Sequence, residues 1–253
     1  PSHGAHNPLL AKAPDWDEFC RLQEAANGHI GIVTLAPEWP GTSEFIRKAV
    51  ASGVLVSIGH TDCTAEDVHR AVDAGASMST HLGNGCPQMV HRHLFPIWAQ
   101  LGEDRLTAGL IPDLFHLPAE VLRVFLKVKT LERCVLVTDA VHVAGLPPGR
   151  YMLGDSPVDL DEAGKVTAHR GGGLGGSSVS MNDAIWRFAQ ATGVTVEDAI
   201  GCVTRVPARL LGRHPLCSAV EPGQPANLVT WRATETGVEV KQVMVAGDIV
   251  YSA

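Results

Sequence analysis

Short, continuous apolar runs alternate with helical periodicities along the first half of the chain. Residues 30–35, 54–58, 76–79, 106–111 and 134–138 have the length and continuity of strands buried on both faces. Between them the period changes to that of helices. Asp15 caps a helix through Ala26 with Phe19, Leu22 and Ala26 on one face and Gly28 at its end. Residues 43–51 turn Phe45, Ile46, Ala49 and Val50 inward. Thr64, with Asp67 three residues on, starts a helix whose apolar face is Val68, Ala71 and Val72 and which Gly75 stops. Pro96 opens a short helix to Leu101. Pro118 opens another with Val121, Leu122, Phe125 and Leu126 inward. Strand, helix and strand in this order predict an α/β fold with parallel strands and right-handed crossovers. A β/α barrel and an open doubly wound sheet both fit the pattern. A barrel needs three strands more than the five visible, which would precede Pro1.

Past Asp139 the pattern changes. Residues 158–160 and 165–167, joined by Glu162-Ala163-Gly164, predict a small hairpin. Gly171-Gly172-Gly173-Leu174-Gly175-Gly176-Ser177 reads as a flexible linker; no strand feeds directly into it and no Gly-Lys-Ser/Thr ends it, as a phosphate cradle would require. Helices are expected over 180–191, 195–203 and 207–211. The tail alternates in β fashion over 226–231, 237–240 and 243–251 and needs partner strands to bury its faces. These changes divide the chain into a partial β/α hydrolase barrel (1–150), a hairpin (151–170), returning helices (171–212) and closing β strands (213–253).

Composition narrows the partners. A net charge of −7, with no run of lysine or arginine, argues against nucleic acid or an anionic membrane. No apolar stretch approaches the roughly 20 residues of a membrane helix, and the first residues form no targeting segment, so a soluble, cytoplasmic protein is expected. The six cysteines, scattered and without a C-x-x-C pair, read as reduced and mostly buried thiols.

Candidate chemistry collects at the strand ends: Glu38, His60, His81, Asp113 and Asp139 each follow an apolar run. The β-α-β unit from 54 to 82 brings His60 and His81 to one C-terminal edge, where two neutral imidazoles can share a divalent ion. The alternative is that each histidine caps its own strand. The irregular stretch 83–95 after His81 is a long loop of the kind that usually carries function.

Taken together, Gly4-Ala5-His6-Asn7-Pro8, Thr34-Leu35-Ala36-Pro37-Glu38, Gly59-His60-Thr61, Thr80-His81-Leu82 with Asn84, Asp113 followed by His116, and Val137-Thr138-Asp139-Ala140 resemble, in this order, the N-acetylglucosamine-6-phosphate deacetylases of the amidohydrolase superfamily. Leu174-Gly175-Gly176-Ser177 and the stretch from Pro207 to Gly212 extend the likeness. The resemblance implies a (β/α)8 TIM-type barrel of the amidohydrolase type, here strands four to eight, with the C-terminal part of a small β-sandwich. It implies a divalent ion, zinc, held by His60, His81 and a glutamate expected before Pro1, with Asp139 as general base and then general acid. It assigns His6, Asn84, Gly85, Arg92 and His116 to the substrate, an amino sugar phosphate: Asn84, Gly85 and Arg92 to its phosphate, which His6 and Arg92 face at the interface of a homodimer, and His116 to the region of the scissile amide. Asn84-Gly85-Cys86-Pro87, His93-Leu94-Phe95 and Pro112-Asp113-Leu114-Phe115-His116 depart from the family pattern, all on the substrate side. They keep open another amidohydrolase acting on a different N-acyl or cyclic amide, or a non-catalytic sugar-binding scaffold.

Overall fold

The computed structural model describes residues 2–212 and 220–253. In chain order the strands are β1 (Ile32–Leu35), β2 (Leu55–Ile58), β3 (Met78–Ser79), β4 (Thr107–Leu110), β5 (Cys134–Leu136), β6 (Gly149–Leu153), β7 (Ser156–Leu160), β8 (Val166–Ala168), β9 (Leu228–Ala233), β10 (Val238–Val245) and β11 (Asp248–Ser252). The α-helices are α1 (Trp16–Ala25), α2 (Thr42–Ala51), α3 (Ala65–Asp73), α4 (Pro96–Gly102), α5 (Ala119–Lys129), α6 (Met181–Thr192), α7 (Val196–Gly201) and α8 (Arg205–Leu210). The result is a parallel-strand α/β core with further antiparallel sheets. Two compact units divide the chain, Pro1–Leu110 with Asp139–Ser178, and Ile111–Thr138 with Val179–Ala253.

In the first unit β1, β2, β3 and β4 pair in sequence order, all parallel. The Thr64 cap forms as expected: its side chain accepts from Asp67 N while the Asp67 carboxylate accepts from Thr64 N, a complete capping box. That fixes where α3 starts. α3 then buries Val68, Ala71 and Val72 against Ile46, Val56 and Ile58. Each valine or isoleucine among them contributes roughly 1.5–3 kcal/mol of transfer free energy. Two inward assignments fail. Leu22 and Val50 are 55% and 41% exposed, respectively. Leu22 borders a cavity instead of packing, and Val50 lies over Gly75, which offers it no side chain. The strands are also shorter than predicted: β1 starts at Ile32 and β3 is reduced to two residues at its N-terminal side, while β2 and β3 end at Ile58 and Ser79 as expected, just before the left-handed backbone of His60 and His81.

The same unit carries the antiparallel sheet β6-β7-β8 over its own small core of Val143, Val158, Leu160, Val166 and Ala168. The predicted hairpin is its β7-β8 half; β6, with three of its five residues exposed, has no clear alternation to reveal it. The glycine run is no loose linker. Gly173 O accepts from Ala168 N at 2.8 Å, Gly175 N donates to Val166 O at 3.0 Å, and Ser177 N donates to Asp139 O at 2.8 Å. At Gly176, φ +75, an added Cβ would lie 2.5 Å from Val141 Cγ1, so glycine is needed for the close approach.

In the second unit the Ser180-capped α6 packs against α5 and β10; Arg123 Nη1 donates to Ala191 O at 2.9 Å and Asn182 Nδ2 to Val238 O at 3.1 Å. The tail strands find one another as the antiparallel sheet β11-β10-β9. The expected boundary at 213 falls in residues 213–219, outside the described ones, as does Cys217. Cys63, Cys134 and Cys202 are buried free thiols, pushed up to about 12 by burial and therefore inert; Cys20 is exposed.

Beneath the His60 corner a Cβ on Gly59 would stand 2.7 Å from Thr80 Cβ and 3.0 Å from Thr34 Cγ2. Gly59→Ala should therefore destabilise the protein by about 1–3 kcal/mol through overpacking, read from urea unfolding midpoints. An unchanged midpoint would contradict this close strand approach.

Candidate metal centre

The register of β2 with β3 builds the centre. Ile58 lies opposite Ser79, so His60 and His81, each two residues further on, reach the same edge side by side. Thr80 N donates to Ile58 O at 2.8 Å and Leu82 N to Gly109 O at 2.8 Å, which hold the backbone on either side of His81. Under the edge, Thr80 Oγ1 shares hydrogen bonds with Thr34 Oγ1 at 2.9 Å and Ser57 Oγ at 2.6 Å. These hydroxyls join three adjacent parallel strands.

His60 Nε2 and His81 Nε2 lie 3.0 Å apart, their rings edge-on with centroids at 4.8 Å. Ser2 O accepts from His60 Nδ1 at 3.2 Å, which assigns the His60 proton to Nδ1 and leaves the Nε2 lone pair outward. Gly85, φ +57, closes over the pair: a Cβ there would be 2.9 Å from His81 Cε1 and 3.2 Å from His60 Nδ1. His6 adds a third imidazole, edge-on to His60 at 5.0 Å. His60, His81 and Asp139 all have left-handed φ, at 52°, 30° and 51°. Such strain in non-glycine residues concentrates at functional sites. Asp139 is exposed, tied through its carbonyl to Ser177, and its charge acts on His60 in the direction that favours protonation.

This donor set fits zinc. Two nitrogens each about 2.0–2.1 Å from a tetrahedral zinc are about 3.3 Å apart, close to the spacing of the two Nε2 atoms. Among the described residues no group of three His, Cys, Asp or Glu side chains gathers to hold an ion, so the two imidazoles are their contribution.

The model of the amidohydrolase family matches residues 12–250. The chain belongs to the amidohydrolase family. It is 34% identical to an N-acetylgalactosamine-6-phosphate deacetylase of Escherichia coli O157:H7, over 97% of this chain and 64% of that protein. It is 34% identical to an N-acetylglucosamine-6-phosphate deacetylase of Homo sapiens, over 99% of this chain and 62% of that one. Among solved structures, an N-acetyl-D-glucosamine-6-phosphate deacetylase mutant from Mycobacterium smegmatis in complex with N-acetyl-D-glucosamine-6-phosphate matches with a TM-score of 0.86 at 30% identity, over 98% of this chain and 65% of that one. The Pasteurella multocida enzyme matches with a TM-score of 0.88 at 26% identity, over 100% and 64%. The chain thus spans a little under two thirds of the length of these relatives.

Other expected residues of this amidohydrolase chain stand as follows. Asn84 sits in the turn after His81, its N–H donating to His81 O at 2.9 Å, and its side-chain Nδ2 is buried with no hydrogen-bond partner among the described residues. A donor left idle in this way suits a ligand oxygen. Arg92 is exposed in the 83–95 loop, where its carbonyl accepts from Trp98 Nε1 at 2.9 Å. His116 belongs to the second unit. Its Nδ1 is 2.7 Å from Asp113 Oδ2, and Asp113 Oδ1 accepts from Phe115 N and His116 N, so Asp113 holds the ring in one orientation. Sequence reasoning gave no role to the Ser2 carbonyl or to the hydroxyls of Thr34, Ser57 and Thr80. Only the hydroxyls had a signal, as polar residues inside otherwise apolar strands.

Burial lowers the His60 imidazole from its ordinary 6.5 to about 4, aided by His81 and His6 and opposed by the Ser2 carbonyl and the Asp139 charge. Between these values the unfolded chain binds more protons at His60 than the folded one, so stability rises with pH across the window and is lost as pH falls. For metal-free protein the loss by pH 4 should be on the order of 3 kcal/mol, from urea unfolding across pH. His60→Asn should remove that part of the slope; an unaltered slope would contradict the buried neutral imidazole.

Proposed function

We propose that this chain carries the catalytic edge of a metal-dependent deacetylase. Its substrate is N-acetylglucosamine 6-phosphate, hydrolysed at the amide C–N bond to glucosamine 6-phosphate and acetate. The observation that carries the reading is the pair of Nε2 atoms 3.0 Å apart on neighbouring strand ends, in a chain whose relatives are amino sugar phosphate deacetylases. In this reading the parallel strands belong to a (β/α)8 barrel and the antiparallel sheets to its accompanying β-sandwich. The protein works as a homodimer in the cytoplasm.

His60 and His81 would hold the ion; Ser2 keeps the His60 ring oriented and the closing Gly85 backbone confines both. A divalent ion, zinc, would supply Lewis-acid polarisation of the amide carbonyl and would acidify a water. The Asp139 carboxylate takes a proton from the attacking water and returns it to the departing amine nitrogen, so that the leaving group is neutral. Asn84 offers its idle Nδ2–H to a sugar or phosphate oxygen. His116, its Nδ1 held by Asp113, is left with Nε2 as the nitrogen to serve the substrate. Gly85 lends backbone to the same turn. Arg92 pairs with the 6-phosphate, where a guanidinium matches two oxygens at once, and His6 faces that phosphate across the dimer.

Asp139→Asn should keep its metal and its substrate KM but lower kcat by about 100-fold or more, within the usual range of acid-base groups. The assay is acetate release from N-acetylglucosamine 6-phosphate, run beside N-acetylgalactosamine 6-phosphate and the unphosphorylated sugar. Turnover retained in Asp139→Asn at full metal content would remove the proton role. No preference for the phosphorylated sugars would favour an amidohydrolase of another N-acyl substrate.

A further inference from the structure

His60 sits at a left-handed φ of 52°, a conformation that a side chain adopts only when its surroundings hold it there. The residues that follow it are held by few groups. Thr61 N donates to Gly85 O at 3.0 Å, Thr61 Oγ1 donates to Glu38 Oε2 at 2.5 Å, and Asp62 N donates to Glu38 Oε1 at 3.1 Å. Thr61 Oγ1 in turn accepts from Cys63 N at 3.0 Å. Thr61 is 3% exposed, so its hydroxyl has little water to fall back on. One carboxylate, three residues beyond the end of β1, therefore ties down the two residues after His60. Among the described residues Glu38 does not cap the helix that follows it: α2 has Gly41 at its N-cap and no side-chain cap bond.

We propose that Glu38 is the positioning residue of the metal centre: its carboxylate anchors the 61–62 segment and thereby holds the His60 imidazole where its Nε2 meets that of His81. The inference rests on the reading that His60 and His81 share an ion. A carboxylate suits this place, because the hydroxyl of Thr61 and the N–H of Asp62 both donate to it and each of its oxygens accepts one. A glutamine can serve Asp62 N through Oε1 only by turning its NH2 toward Thr61 Oγ1, and that hydroxyl must then accept from both the amide and Cys63 N and give up its own charge-assisted donation.

The test uses the protein as its gene encodes it, stripped with chelator and titrated with Co2+ by visible absorption. Glu38→Gln should weaken Co2+ binding by about 10- to 100-fold, the usual cost of losing a group that orients a metal ligand, and should change the shape of the d–d band. Glu44→Gln, on the exposed face of α2, should bind as the parent does. Thr61→Val should reproduce the loss while Thr61→Ser, which keeps the hydroxyl, should not. The Glu38→Gln, Thr61→Val double variant should be no weaker than the worse single one. If Glu38→Gln fails to fold, the Thr61 pair decides. Co2+ affinity and spectrum within about twofold of the parent in both Glu38→Gln and Thr61→Val would overturn the role of Glu38 while leaving the deacetylase reading intact. A parent that takes up no Co2+ would overturn both.

Discussion

The pairing of β2 with β3 is the constraint on which the site depends. Parallel strands joined by a right-handed crossover end on the same edge, and the Ile58–Ser79 register makes the residues two positions later neighbours. A slip of one residue would separate His60 from His81. The capping box of α3 and its contacts with Ile46, Val56 and Ile58 fix the crossover. The core of the first unit thus does more than stabilise the fold. It sets the spacing of two nitrogens.

Holding two imidazoles this close has a cost, and the local structure offsets it. Both residues leave their strands in left-handed backbone, and burial keeps His60 neutral at physiological pH. Glycine accommodates the crowding: Gly59 lets Thr80 and Thr34 meet beneath the corner, and Gly85 lets the following turn lie over the rings. The hydroxyl chain through Thr34, Thr80 and Ser57 then locks the strand ends together without a charged group beneath the site. Neutral imidazole is the form that binds metal, so the same burial that strains the apoprotein prepares its ligands.

Much of this was legible in the chain itself. The apolar runs before His60 and His81 and the Thr64–Asp67 cap define a β-α-β unit by local rules, and those rules held. Features set by long-range contacts were not legible. The glycine run looks flexible in sequence and is ordered by bonds to β8 and to the Asp139 segment. Val50 has the right helical phase and still lies exposed, because what faces it is a glycine. The tail strands show alternation but not their partners, which turned out to be each other. At the site, the histidines and Asp139 stand out by type and position. A main-chain acceptor such as Ser2 O carries no sequence signal at all, and Glu38 reveals its work only once Thr61 is seen against it.

The most direct test of the account is metal stoichiometry. The protein as its gene encodes it, purified without chelator and measured by elemental analysis, should carry close to one equivalent of zinc. His60→Ala and His81→Ala should each lose most of it, because each removes one of the two imidazoles that share the ion. Near-stoichiometric zinc in the His60→Ala, His81→Ala double variant would contradict the claim that these two strand ends form the metal centre.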